Sequence, residues 1–366
     1  MIDNKKETKL VYRTIQRHLI SSPNLKPAYD IVQQIIHIFA KPAFYEISNK
    51  CNLKCEGCYY FDPSVFKSEP LENEIFSNNW EKLLASESKR GVTMPYFLGA
   101  EPALEEKRLI VAAKYFKRGN IGTNGTVFLS SEIPFRISIS AWAGDETDDI
   151  VYRGGKALHK ALKLYKNDPR AIVLYTLNRY NITQTKDIVK LSRDNGLPIT
   201  FNLWSPPKNL LLNSNKSINL SFRNEDLKKV RETLDEMIES FPDTVIYSHK
   251  YNQWSTASGP LYDLDSQGIA KDCASRLKGN FAYYGLDLQK KDFKCCTSSI
   301  ECSECRLYSG GWSSHFSPKE EQIRTIKDFS QWIDMILTIG RIFLRKEIDT
   351  KAFLNNENIN YKDIIV

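Results

Sequence analysis

The stretch CNLKCEGCYY sets three cysteines, Cys51, Cys55 and Cys58, on one short segment at offsets of four and three. Three thiolates on one loop converge on a single face. That geometry suits three irons of a [4Fe-4S] cube, leaving the fourth iron open, and it fits poorly to a closed tetrahedral zinc site, which wants four ligands. The competing readings are three buried inert cysteines, or zinc completed by a histidine from elsewhere; none of His18, His37, His159, His249 and His315 lies close by in sequence. The other five cysteines come late, as Cys273, the pair Cys295-Cys296, and Cys302-x2-Cys305. Between them NFAYYGLDL, QKK and DFKCC read as a hairpin. Its flanks and the CxxC turn can close four thiolates on one metal, either an auxiliary [4Fe-4S] cluster or structural zinc, with iron-sulfur favoured.

Composition narrows the setting. With 42% hydrophobic and 26% charged residues in 366, the chain reads as globular and not disordered. The net charge of +7 comes from dispersed Lys and Arg, which mostly means solvated faces, so nucleic acid is not the expected partner. The N-terminus has no signal-peptide pattern, and the most apolar late run, MILTIGRIFL, is too short to span a bilayer and carries Arg341. A cytoplasmic protein with no membrane span is expected, where thiols stay reduced and eight cysteines serve as ligands or catalytic groups.

These cysteines need a scaffold. Residues 8 to 40 read as two amphipathic helices separated by SSPNLKP. From Pro42 onward the strand candidates AFYEIS, MPYFLGA, GNIGTNG, FRISISA, AIVLYTLN and PITFNLW mostly alternate with helical stretches, the pattern of a parallel α/β sheet or partial barrel. In such folds the strand carboxyl ends carry the chemistry, and the cysteine triad follows the first strand directly. After the second comes Gly99-Ala100-Glu101-Pro102: a glycine there lets a ligand approach the backbone, and a carboxylate beside it suits an ammonium group. Ser138 and Ser140 share one face of the fourth strand, as Thr176 and Asn178 do on the fifth, and a partner such as a ribose hydroxyl or carboxylate would offset their burial. Tyr45, Tyr175, Trp204 and Trp254 are candidates to line a substrate pocket.

On the triad, the GAEP element and Thr123-Asn124-Gly125, the sequence resembles the radical S-adenosylmethionine (radical SAM) superfamily over about residues 42 to 210. The resemblance implies a partial (β/α)6 TIM-like barrel at residues 41–245, with Cys51, Cys55 and Cys58 holding the [4Fe-4S] cluster that binds S-adenosylmethionine. Gly99, Ala100, Glu101, Pro102, Thr123, Asn124, Ser138, Ser140 and Asn178 would hold that cofactor. ETDDIVYRGG resembles the linker after the fourth strand, where Arg153 either serves the cofactor or caps a helix. The family usually has an aromatic residue before the third cysteine; here stands Gly57, with Tyr59, Tyr60 and Phe61 following. The late cysteines resemble a twitch-type segment, the shortened relative of the SPASM domain, here residues 246–312. By that analogy Cys273, Cys295, Cys302 and Cys305 are the ligands, with Cys296 as the alternative to Cys295. Gly285 lies further from the second cysteine than the usual pattern sets it. A helical lead-in (1–40) and a C-terminal helical segment (313–366) complete the expected domains.

The activity implied is reductive cleavage of S-adenosylmethionine to a 5′-deoxyadenosyl radical, fed by a flavodoxin or ferredoxin, and hydrogen abstraction from a small metabolite. Modification of a peptide, or transfer of the adenosyl group, is the alternative. A reading from another class is a zinc-binding adaptor or RNA-binding protein with both cysteine groups structural.

Overall fold

The computed structural model describes residues 2–56, 58, 60, 70–206, 220–277, 281–291 and 300–344. Gly57, Tyr59, Phe61, Cys295 and Cys296 therefore lie outside the described residues. Helices Ile2–Ser21 (α1) and Lys26–Ile38 (α2) come first. The strands follow as Pro42–Ser48 (β1), Met94–Gly99 (β2), Asn120–Thr123 (β3), Arg136–Ala141 (β4), Ala171–Leu177 (β5) and Ile199–Leu203 (β6). Each pairs in parallel with its predecessor in sequence. Parallel neighbours need long crossovers. Helices Asn73–Arg90 (α3), Glu106–Ala113 (α4), Glu146–Arg153 (α5), Ala157–Leu164 (α6) and Thr185–Asp194 (α7) supply them, except between β3 and β4, which a loop joins.

Strand alternation then sorts the side chains. Tyr45, Phe97, Ile121, Ile139, Tyr175 and Phe201 are fully buried in one core with Trp80 and Leu84 of α3, Leu109 of α4 and Val189 of α7. From the other face, Phe44, Tyr96, Asn120, Ser140, Thr176 and Asn202, one from each strand, line a single cavity. Six strands laid flat span about 24 Å at the usual spacing. One cavity touches all six only because the sheet curls around it. The order stays open, β6-β5-β4-β3-β2-β1 followed by a seventh strand, Ala282–Tyr284 (β7), paired in parallel with the outer edge of β1. The expected α/β partial (β/α)6 barrel is what the chain forms.

β7 is the first arm of the late hairpin. It turns at Gly285–Gln289 and returns at Lys291, whose N–H donates to the Tyr283 carbonyl at 2.7 Å. Docking on β1 leaves the Tyr283 hydroxyl donating to the buried Glu46 carboxylate at 2.5 Å.

The remaining helices are Asn224–Ser240 (α8), His249–Ser255 (α9), Ala274–Leu277 (α10), Tyr308–Ser314 (α11) and Ile326–Phe343 (α12). The apolar run MILTIGRIFL lies in α12, buried almost all round and packed on α2. A capping box of Thr325 and Asp328 starts it, and at its end the buried Arg136 of β4 donates to the Ile342 carbonyl at 2.8 Å, a cation at the negative pole of the helix. No helix among the described residues is long and apolar enough to cross a membrane.

Candidate cofactor cavity

The cavity has a volume of about 300 Å³. Cys51, Cys55 and Cys58 all reach it, each half-buried. Their loop is clamped from the side: the N–H groups of Lys54 and Glu56 donate to the carbonyls of Arg153 (3.3 Å) and Tyr152 (2.7 Å), the last residues of α5. Helix carbonyls without a partner in their own helix are ready acceptors for such a loop. Burial pushes the Cys51 thiol up, while the Leu53 N–H and the Asn124 amide, 3.4 and 3.9 Å from Sγ, pull it back by favouring the thiolate. No three His, Cys, Asp or Glu side chains among the described residues gather closely enough to hold a single ion.

Gly99 closes β2 at φ 132°, and a Cβ there would stand 2.4 Å from the Ser48 carbonyl oxygen. Only glycine lets β1 and β2 touch here, so that the N–H groups of Ala100 and Glu101 donate to Ser48 and Lys50 at 2.9 Å each. Gly99→Ala is expected to destabilise the chain by about 2 kcal/mol or more. Chemical denaturation checks this, and an unchanged midpoint would contradict the packing of these strand ends.

Glu101 is 1% exposed. Its carboxylate accepts from the Thr123 hydroxyl at 2.6 Å, the Asn124 N–H at 2.7 Å and the Ala103 N–H at 2.9 Å. Burial raises its pKa and these three donors oppose the rise. The carboxylate thus ties the end of β2 to the end of β3, more than the ammonium contact expected of it. From the far side of that turn, the Asn124 amide donates to Asn52 at 2.7 Å, and Asn52 donates to Thr126 at 2.8 Å, which braces the cysteine loop. Gly125 holds φ 73° where a Cβ would meet Ala161 at 2.6 Å.

Of the other expected residues, Ser140 and Thr176 line the cavity. Ser138 sits one step behind, its hydroxyl donating at 2.9 Å to Asn120, which does line it. Asn178 lies just beyond β5, fully buried: its side chain accepts from the Tyr180 N–H at 2.9 Å and its Nδ2 has no partner among the described residues. Pro102 opens a short 3-10 turn and is buried outside the cavity wall. Tyr45 and Tyr175 face the helices, and of the aromatic candidates only Trp204 reaches this cavity. Trp254 packs instead beside Tyr262, Cys273 and Cys302.

Further residues complete the wall. Arg153 lines the cavity, donates to the Ser140 carbonyl, and keeps a buried Nε without a partner among the described residues. Asn202 accepts from the Tyr308 N–H at 3.1 Å, and Ser205 from the Arg306 N–H at 2.8 Å, so the segment after Cys305 forms part of the wall against the end of β6. Arg306 is itself fixed by the carbonyls of Ser255, Ala257 and Gly259 at 2.6–3.0 Å. Cys273 and Cys302 share a small buried cluster with Tyr262 and Ala270, and Cys302 stands three residues before Cys305 and five before the wall residue Leu307.

Fold and site define a class: an open (β/α)6 barrel with its cysteine loop after β1 and a braced carboxylate after β2 inside one cavity. No protein-family model matches the chain, and no curated protein is similar to it in sequence. Among solved structures it is similar to Streptococcus suis SuiB bound to precursor peptide SuiA, at 14% identity over 72% of this chain and 62% of SuiB, with a TM-score of 0.49. It is also similar to anSMEcpe with bound AdoMet, at 15% over 86% and 95%, TM-score 0.49, and to HydG, a maturase of the [FeFe]-hydrogenase, at 10% over 94% and 87%, TM-score 0.43. The match spans less than two thirds of SuiB's length. These are distant likenesses of fold.

Proposed function

We propose that the chain is a radical SAM enzyme, with Cys51, Cys55 and Cys58 holding a [4Fe-4S] cluster and the ends of β2 to β5 holding S-adenosylmethionine. One observation carries this: three half-buried thiols, a buried carboxylate anchored by three donors and the guanidinium of Arg153 all border the same cavity. The donor set fits the group. Three thiolates leave one iron for the nucleoside, and the buried Nε of Arg153 fits a carboxylate.

When bound, the cluster and S-adenosylmethionine would supply 5′-deoxyadenosyl radical chemistry, with the electron coming from a flavodoxin or ferredoxin. The chain's own residues hold the surroundings. Thr123, Asn124 and Glu101 fix the β2 and β3 ends against each other, Asn52 and the end of α5 hold the cysteine loop, and Phe44, Tyr96, Trp204 and Tyr308 keep the reacting space dry. Ser138 orients Asn120, and Asn178 shapes the turn after β5.

The substrate in this reading is a small metabolite, oxidised or rearranged in the cytoplasm, with Cys273, Cys302, Cys305 and Cys295 or Cys296 binding a second [4Fe-4S] cluster in the twitch-like segment 246–312. Modification of a peptide is the second reading; SuiB is bound to a precursor peptide. Anaerobic iron and sulfide analysis separates all of this from a zinc adaptor: about eight irons per chain and release of 5′-deoxyadenosine under reduction are expected. Zinc at the first cysteine group and no nucleoside release would leave the adaptor. Arg153→Ala should raise the S-adenosylmethionine concentration for half-maximal release about tenfold or more. A purely helix-capping role would instead lower iron content and leave that concentration unchanged.

A further inference from the structure

A second cavity, of about 220 Å³, lies apart from the first, and the two share no wall residue. It sits where α9, the end of α11, the 3-10 turn Glu320–Ile323 and α12 meet. An apolar cavity of about 150 Å³ is enough to hold a benzene ring. This one has room for a single ring and a substituent. Its apolar walls are the indoles of Trp254 and Trp332 and the thioether of Met335, surfaces that pack against flat rings and adapt to their edges.

The buried polar group in the wall is His315, 5% exposed. Tyr251 and Trp254 meet the imidazole edge-on, at 82° and 86° with ring centres 5.9 and 4.7 Å away, and the Trp332 indole N–H is taken by the His315 backbone carbonyl at 2.9 Å. None of these neighbours bonds to the ring, and its Nε2 is buried with no hydrogen-bond partner among the described residues. Such a group is unfavourable until something bonds to it. Burial and the nearby Lys250 ammonium push the imidazole pKa down to about 4, so the ring is neutral, with one N–H and one lone pair. Of the other polar lining groups, Lys250 pairs with Asp328 at 3.9 Å, the Gln322 amide oxygen accepts from the Lys319 N–H at 2.9 Å, and Gln253 is exposed. A hydroxyl both donates and accepts, so it answers Nε2 in either tautomer.

We infer that this cavity is a second small-molecule site, taking a single-ring aromatic compound whose hydroxyl hydrogen-bonds to His315. The ring lies among Trp254, Trp332 and Met335. Trp254 also packs with Tyr262, Cys273 and Cys302, so an occupant braces the late cysteine segment against α12. The site uses no residue of the cofactor cavity and does not rest on the proposed function.

Fluorine NMR of 4-fluorophenol with the full chain tests this. Saturable binding is expected, about tenfold or more tighter than that of 4-fluorotoluene, which has a similar shape and no hydroxyl. His315→Leu should abolish that preference by weakening the phenol and not the toluene; if this variant does not fold, the wild-type preference reads the same bond. Met335→Trp, which sets an indole into the cavity, should weaken both probes about tenfold or more while keeping the wild-type far-ultraviolet spectrum. Should it not fold, Gln322→Trp fills the space from the 3-10 turn. Absence of saturable binding to wild type, equal affinity for the two probes, or undiminished binding to a folded filled variant overturns the inference. A chain that binds 4-fluorophenol in this way but releases no 5′-deoxyadenosine refutes the proposed function alone, and one that releases nucleoside but binds no phenol refutes the second site alone.

Discussion

Cys55→Ala should bind about four irons fewer than wild type and release no 5′-deoxyadenosine above background, because among the described residues no thiolate besides Cys51, Cys55 and Cys58 lines the cavity to replace a lost one. Cys55 lines the cavity wall, and Cys273 and Cys302 of the late group lie in a different cluster with Tyr262 and Ala270. Iron, sulfide and nucleoside are measured on the same anaerobic preparation. The matching change at the other end, Cys302→Ala, should lower iron while leaving nucleoside release intact. Both effects appearing in both variants would mean that the two groups fold as one unit.

The second large effect falls on Glu101. Its removal leaves the Thr123 hydroxyl and the N–H groups of Asn124 and Ala103 buried without an acceptor. At about 1–3 kcal/mol for each unmet group, partly offset by no longer burying a charge, Glu101→Ala should cost on the order of 3 kcal/mol of stability. Glu101→Gln keeps one acceptor oxygen but presents an NH2 to one of the donors, so an intermediate loss is expected. The pH dependence has a definite sign. Burial raises the folded carboxyl pKa above its ordinary 4.5, so the group's contribution is fully present below that value and is lost as pH rises through the raised one. The metal-free wild-type chain should therefore lose stability relative to Glu101→Gln across that window. Denaturation of both proteins from pH 4 upward measures it; a parallel pair of curves would show that the three donors cancel burial, and a wild type that gains on the variant would show that they outweigh it.

The parts of the site that are short strings were legible in the sequence. The cysteine triad, GAEP and TNG each carry their chemistry within a few residues, and the strand carrying each could be read from its apolar run. What could not be read was contact made over long sequence distances. Arg153 reaches the cavity because α5 ends against the loop of Lys54 and Glu56, about a hundred residues earlier, and Tyr308 because its N–H finds Asn202. β7 joins the barrel sheet by pairing with β1 across more than two hundred residues, so a segment read as a separate appendage also supplies a strand to the barrel. Alternation misled in two places. Tyr45 and Tyr175 have the opposite parity to the cavity-facing Phe44 and Thr176, and Asn178 falls beyond the last residue of β5, where period two no longer applies.

The most direct measurement is electron paramagnetic resonance of the reduced chain, anaerobic, with and without S-adenosylmethionine, the Cys302→Ala variant isolating the first cluster. The open iron beside Cys51, Cys55 and Cys58 should change its signal when the nucleoside is added, with hyperfine coupling to labelled amino nitrogen. A reduced cluster whose spectrum is indifferent to the nucleoside would contradict the assignment of this cavity.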